Sequence, residues 1–316
     1  MKASWLLLVI VLLTVSVALP IGYVQYKAWN QASNENFFFG VACSSNTSRE
    51  AKLLIDKVKG YTNLFVVDSW DVSTNETALT EICQYAVDAG MSVIVYFDFI
   101  FYNVSSSIGS FYNASTWEQY GVTPWHIPWL NNAREKWGKN FLGVYLYDEP
   151  GGNQIDRGYW GGNNVTRSGN PVRTFENVSS YSDAANRFVT SINRSRSMQL
   201  LTNSSIPGAI NSKMPLFTSD YALYWFDYLA GYDTIFVELG WNNSRVQQIA
   251  LCRGAANMQR KEWGAIITWT YDEPPYLASG VATYGDMLTA YETGAKYVIF
   301  FDYPKYPDEN PYGVLT

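Results

Sequence analysis

The chain has 316 residues, of which 47% are apolar and 16% aromatic but only 16% charged, against roughly 25% charged in an ordinary soluble protein. Twenty-two basic and 28 acidic side chains leave a net charge of -6, so there is no basic footprint for a phosphate backbone and a nucleic-acid partner is not expected. The apolar content also excludes a disordered or collagen-like chain.

From Trp5 to Val24 no residue carries a charge, and as a helix this run would span about 30 Å, the thickness of bilayer hydrocarbon. Residues 1–24 therefore read as a transmembrane anchor. They read equally as a signal peptide, because Ser16-Val17-Ala18 offers a small-x-small cleavage site. Residues 25–36 read as a linker to a body spanning 37–316.

Beyond the linker, short apolar runs alternate with amphipathic stretches, the pattern of parallel strands joined by crossover helices. The predicted strands are 37–42, 63–69, 92–99, 142–148, 198–203, 234–239, 265–271 and 297–302. Each is continuously hydrophobic, as strands buried on both faces are. The predicted helices are 48–59, with Ser48 as N-cap and Gly60 as stop, then 75–89 before Gly90, 126–137, 180–193, 220–229, 244–261 and 284–293. Gly138, Gly231 and Gly294 follow three of these as C-terminal stops.

Eight strands alternating with helices over this length match a (β/α)8 TIM barrel, an α/β fold; a doubly wound sheet would carry a glycine-rich phosphate loop after its first strand, and Phe39-Gly40-Val41-Ala42-Cys43-Ser44 is not one. Only residues 303–316 follow the last strand, so either an eighth helix lies beyond Thr316 in a longer chain or the barrel is closed differently. The insertions 103–125 and 151–177 follow the third and fourth strands, and both fall on the C-terminal face where barrel enzymes build their sites.

Asn-x-Ser/Thr acceptors occur at Asn46, Asn75, Asn103, Asn113, Asn164, Asn177, Asn193, Asn203 and Asn242. Such a density predicts a glycoprotein whose body lies outside the cell, secreted or on the extracellular face of the membrane, with glycans supplying the solubility that surface ions otherwise provide. Cys43, Cys83 and Cys252 allow one bridge and a spare thiol or three buried thiols. His126 is the only histidine, which argues against a Ser-His-Asp triad or a multi-histidine metal site. No metal and no cofactor is expected.

The chemistry is concentrated in a near-repeat. Tyr145-Leu146-Tyr147-Asp148-Glu149-Pro150 ends the fourth predicted strand and Trp269-Thr270-Tyr271-Asp272-Glu273-Pro274 the seventh. Alternation along a strand groups Glu149 with Tyr147, Tyr145 and Gly143 on the inward face, and Glu273 with Tyr271, Trp269 and Ile267, leaving Ile266 and Thr268 toward the helices. Glu238 and Asp98 end the sixth and third strands, and Asp68 and Asp302 complete an acidic ring. Crowded carboxyls in an aromatic pocket cannot all ionise, which provides one protonated acid beside one ionised base. The structural role of a strand-end acid, as a loop cap or an ion pair, competes most strongly at Asp68, Asp98 and Asp302.

In this pairing the chain resembles clan A of the glycoside hydrolases, (β/α)8 barrels whose acid/base follows strand four and whose nucleophile follows strand seven. The resemblance implies Glu149 as acid/base and Glu273 as nucleophile, with retention through a glycosyl-enzyme intermediate. The chain departs from that clan at Asp148, where an asparagine that binds the sugar 2-hydroxyl is common. The expected function is cleavage of polysaccharide or cell-surface glycans, with carbohydrate contacts at Asp98, Asp148, Glu238, Trp241, Trp269 and Tyr271. Trp70, Trp125, Trp129 and Trp160 also fall near the expected mouth, although large rings are as often core as sugar platforms. The alternative is a non-catalytic surface protein that binds glycans on the same scaffold.

Overall fold

A computed structural model of the chain describes residues 37–97, 125–152, 155, 166–167, 170–171, 180–200, 214–241, 243–268, 270 and 278–302. The chain divides into two units, Met1–Phe37 and Phe38–Thr316. The expected anchor or signal segment and the linker lie outside the described residues, as does 303–316. No helix among the described residues is long and apolar enough to cross a membrane.

The second unit is a closed barrel of eight strands: β1 (Phe38–Cys43), β2 (Leu64–Val67), β3 (Ser92–Phe97), β4 (Phe141–Leu146), β5 (Leu216–Asp220), β6 (Thr234–Leu239), β7 (Glu262–Ile267) and β8 (Tyr297–Asp302). Each strand pairs in parallel with its neighbours in chain order, and β8 closes onto β1 with Phe38 opposite Tyr297. The helices are α1 (Ser48–Val58), α2 (Trp70–Ser73), α3 (Glu76–Asp88), α4 (His126–Trp137), α5 (Tyr181–Leu200), α6 (Tyr224–Ala230), α7 (Arg245–Gln259) and α8 (Gly280–Glu292). Within the insertion after β4, Thr166–Arg167 pairs antiparallel with Asn170–Pro171.

Helix starts follow local chemistry. Asn75, Ser244 and Ser279 cap α3, α7 and α8 through side-chain oxygens that accept backbone N–H groups of the first turn. For α1 the cap is Thr47 rather than Ser48: its hydroxyl accepts from Glu50 N at 3.2 Å and donates to Glu50 Oε2 at 2.8 Å. Gly90, Gly138, Gly231 and Gly294 all adopt positive φ, a conformation that stops a helix at little cost only for glycine.

The barrel interior is filled by Ala42, Leu64, Val66, Ile94, Tyr145, Phe217, Phe236, Ile266, Tyr297 and Ile299. Its floor is aromatic: Phe217 and Phe236 stack at 5.8 Å, Tyr145 and Phe236 at 6.2 Å, and Tyr297 meets both phenylalanines edge-on. Gly143 opens room for this packing, because a Cβ there would stand 2.3 Å from Pro215 O on the next strand's approach.

Two predicted elements differ. The fifth strand is Leu216–Asp220, whereas 198–200, predicted as its start, continue the 20-residue helix α5. A short apolar run such as Met198-Gln199-Leu200-Leu201 fits a buried helix end as well as a strand, and the polar Thr218-Ser219-Asp220 disguised the true one. On β7, Ile266 faces the barrel interior, opposite to the predicted parity. Ile266 and Ile267 are both 3% exposed, and a strand buried on both faces offers no alternation from which to read its inner side.

The other sequence features are structural. All three cysteines are buried free thiols, and burial raises Cys83 and Cys252 far above the usual thiol range. His126 is buried, donates Nε2–H to Ser73 O at 2.9 Å and stacks on Trp125. Trp129 is a core residue packed against Phe97, Trp137 and Phe141.

Candidate active site

The C-terminal ends of β2, β4, β5 and β6 carry the site. Tyr145 belongs to the aromatic floor, and its hydroxyl joins the floor to a polar cluster. The hydroxyl lies 2.7 Å from Asp148 Oδ1 and 2.8 Å from Ser219 Oγ, and it accepts the Ser219 N–H at 3.2 Å. Ser219 Oγ in turn lies 3.0 Å from Asp148 Oδ1 and 2.6 Å from Glu238 Oε1. Register explains the convergence: Ser219 is opposite Phe236, one inward step below Glu238, while Phe217 below it is opposite Tyr145.

Glu238 is 6% exposed. Burial pushes its carboxyl well above the glutamate range, and Glu149, Asp148 and Asp220 push it further. Asp68, above Val66 on β2, keeps part of its surface open, yet desolvation and then Asp148 raise it to about 8. Burial, followed by Asp148 and Asp68, raises Tyr145 as well, so the phenol stays protonated.

The turn after β4 is bent rather than extended. Tyr147 has φ 60° and Glu149 φ 48°, left-handed values that cost a non-glycine residue about 1 to 3 kcal/mol each and tend to collect at functional sites. Hydrogen bonds to both neighbouring strands hold the bend: Tyr147 N donates to Phe97 O, Thr218 Oγ1 to Tyr147 O at 2.6 Å, and Glu149 N to Ser219 O at 3.0 Å. The bend ends strand alternation at Leu146, so Asp148 reaches the inward Tyr145 hydroxyl. Glu149, half-buried, acts on Glu238 and Asp220.

Beneath the bend lies a second acidic pair. Asp220 accepts Gly151 N at 2.8 Å, Gly152 N at 3.0 Å and Ala222 N at 3.0 Å. Asp227 on α6 is wholly buried, and neither carboxyl oxygen has a hydrogen bond of standard geometry. It nevertheless sits close enough to Asp220 and the Gly151 N–H to be influenced by both. Burial raises both acids, and Asp227 raises Asp220 in addition.

Trp241, on the loop after β6, is 37% exposed with φ 51°. Arg245 braces this loop, donating to Gly240 O at 2.7 Å and Trp241 O at 3.1 Å while pairing with Asp286 on α8 at 3.1 Å.

The structure thus brings together Asp148, Glu149, Glu238 and Asp68 of the predicted acids. Glu273, Asp98, Trp269, Tyr271 and Trp160 lie outside the described residues, as does the side chain of Asp302. The sequence did not single out Ser219 and Asp220, because the fifth strand was misplaced, nor Asp227, which falls inside the predicted helix 220–229. Among the described residues no group of histidine, cysteine and acid side chains is arranged to hold a metal. Asn46 and Asn75 are exposed on loops at the C-terminal face, and the other predicted acceptors, including the Asn193 side chain, lie outside the described residues.

No family model matches the chain, and no curated protein matches it. Solved structures are similar to the chain at low identity. A GH26 β-(1,4)-mannanase from Podospora anserina is 11% identical with a TM-score of 0.47, the match covering 92% of this chain and 62% of the mannanase. A glycoside hydrolase family 5 enzyme from Prevotella bryantii is 13% identical with a TM-score of 0.43, over 86% and 90% of the two chains. An HpcH/HpaI aldolase from Desulfitobacterium hafniense is 12% identical with a TM-score of 0.42, over 91% and 94%. The chain is an eight-stranded parallel α/β barrel.

Proposed function

We propose that the chain is an extracellular glycoside hydrolase, tethered or secreted, acting on polysaccharide or cell-surface glycans. The observation that carries this reading is the set of carboxyls at one barrel mouth, with Glu238 buried and linked through Ser219 to the exposed Asp148. Such a set holds protonated and ionised acids side by side over an aromatic floor, which acid-assisted cleavage of a glycosidic bond requires. Glu149 is assigned as acid/base, and the sequence resemblance supplies Glu273 as nucleophile and hence retention of configuration. Asp148, Glu238 and Trp241 are assigned to sugar binding, and the sequence reading adds Asp98, Trp269 and Tyr271. The nine acceptor sequons, of which Asn46 and Asn75 are exposed, support the extracellular placement.

The test is hydrolysis of a panel of plant, fungal and animal glycans by wild type, Glu149→Gln and Glu273→Gln. Loss of at least about 100-fold in turnover in each variant, with unchanged folding, supports the reading. Undiminished turnover in both, or sugar binding without turnover in the wild type, overturns it, the latter in favour of a glycan-binding barrel.

A further inference from the structure

Four oxygen–oxygen contacts of 3.0 Å or less meet around Ser219: Tyr145 to Asp148, Tyr145 to Ser219, Ser219 to Asp148 and Ser219 to Glu238. The tyrosine and serine hydroxyls supply only two hydrogens. If Ser219 donates to Glu238, its 3.0 Å contact with Asp148 Oδ1 sets two oxygens together without a proton. One more proton, placed on Glu238 Oε1, resolves this. Glu238 then donates to Ser219, Ser219 donates to Asp148, and Tyr145 donates to the same Asp148 oxygen. The Tyr145–Ser219 contact alone lacks a hydroxyl hydrogen, and there the Ser219 N–H donates to the phenol oxygen at 3.2 Å.

We propose that Ser219 is a positioning residue that relays a proton between the closed-off Glu238 and Asp148, the acid exposed at the mouth. In the forward direction the Glu238 O–H bond breaks as that proton bonds to Ser219 Oγ, while the serine's own proton passes to Asp148 Oδ1. The serine is regenerated, Glu238 becomes the anion and Asp148 the neutral acid. No oxidant or co-reactant is needed. Glu238 stores a proton out of reach of solvent, and the strand-four acids receive it where substrate binds.

The groups facing this chain of bonds are Asp148 and Glu149 from the turn after β4, Asp220 from β5, Tyr224 from α6, Tyr145 from β4 and Asp68 from β2. The charges acting most on Glu238 are all acidic, so an ionised Glu238 depends on the Ser219 hydroxyl as its donor.

The experiment reads the protonated-carboxyl infrared band of Glu238, isolated as the difference between wild type and Glu238→Gln across a pH titration. The proposal expects this band at pH 7. In Ser219→Ala the band changes frequency and persists to higher pH by about one unit, because one hydrogen bond to a charged group is worth about that much. Ser219→Thr, which keeps the hydroxyl, restores the wild-type titration, and Ser219→Cys replaces Ser219→Ala should the alanine variant fail to fold. Absence of a Glu238 band at pH 7, or a band and titration unchanged without the serine hydroxyl, overturns the relay. A kinetic arm rests on the hydrolase reading: the alkaline limb of kcat/KM moves up with Ser219→Ala and returns with Ser219→Thr. The infrared arm needs no turnover, so failure of the hydrolase reading and failure of the relay are told apart.

Discussion

Asp220 Oδ2 accepts the backbone N–H of Gly151 at 2.8 Å, fixing the end of the fifth strand to the turn that carries Glu149. The same carboxyl takes Gly152 N and Ala222 N, so one buried side chain holds two loops of the mouth. Replacing it with alanine strands these N–H groups, at about 1 to 3 kcal/mol for each that stays buried and unpaired. Asp220→Ala is therefore expected to lower the urea midpoint and to reduce kcat more than it raises KM, because Glu149 loses its support.

Gly151 lies directly over the second acid of the buried pair. A Cβ at this position would stand 2.7 Å from Asp227 Oδ1 and 3.0 Å from Leu223 Cβ. Gly151→Ala is expected to destabilise by about 1 to 3 kcal/mol, as overpacking does. Asp227→Asn in the same background does not relieve the clash, because it replaces the obstructing oxygen with an atom of like size. Chemical denaturation of the single and double variants checks both statements.

Asp68 sets a pH dependence whose direction follows from its raised carboxyl. Its ordinary value is 3.8 and its folded value about 8, so the native state binds the proton more tightly than the unfolded chain. That contribution to stability is complete below about pH 4 and fades as pH rises toward about 8. Glu238, Asp220 and Asp227 are raised as well and act in the same direction, so the comparison has to be made with the single variant. Asp68→Asn is expected to become more stable relative to wild type as pH rises from 4 to 9, by about 1 kcal/mol or more. Urea midpoints at the two pH values measure this, and a difference that shrinks with rising pH contradicts it.

Arg245 acts on the site through the loop it braces. Removing its bonds to Gly240 O and Trp241 O frees a tryptophan held at positive φ. Arg245→Ala is expected to raise KM about tenfold with a smaller change in kcat, since the proposed site gives the ring a part in binding and none in bond cleavage. Tryptophan fluorescence anisotropy should fall in parallel. Asp286→Asn, which removes only the distant partner, is expected to give a weaker effect in the same direction.

The barrel was legible in the sequence because its strands are short hydrophobic runs punctuated by helix caps and glycine stops, as at Asn75, Gly90 and Gly231. Glu238 was legible because Phe236 and Glu238 share one face of a regular strand, and both face inward. The fifth strand was not, since Leu216-Phe217 is followed by three polar residues whose burial depends on neighbours distant in sequence. Ser219 and Asp220, both almost wholly buried, went unseen with it. Parity failed on β7 because both faces of that strand are buried. On β4, Tyr147 and Glu149 break the alternation by adopting left-handed backbone. Strain of this kind is imposed by tertiary hydrogen bonds, here from Thr218 Oγ1 and to Ser219 O, and no local pattern announces it.

Chemical rescue reads most plainly whether the acid after β4 serves glycosidic bond cleavage. Glu149→Ala is assayed with and without azide on an aryl glycoside that the wild type cleaves. The variant is expected to accumulate glycosyl-enzyme from a good leaving group, and azide is then expected to release a glycosyl azide of retained configuration, restoring turnover. Wild-type hydrolysis by the variant without azide, or an inactive variant that azide leaves unchanged with the fold intact, would contradict it.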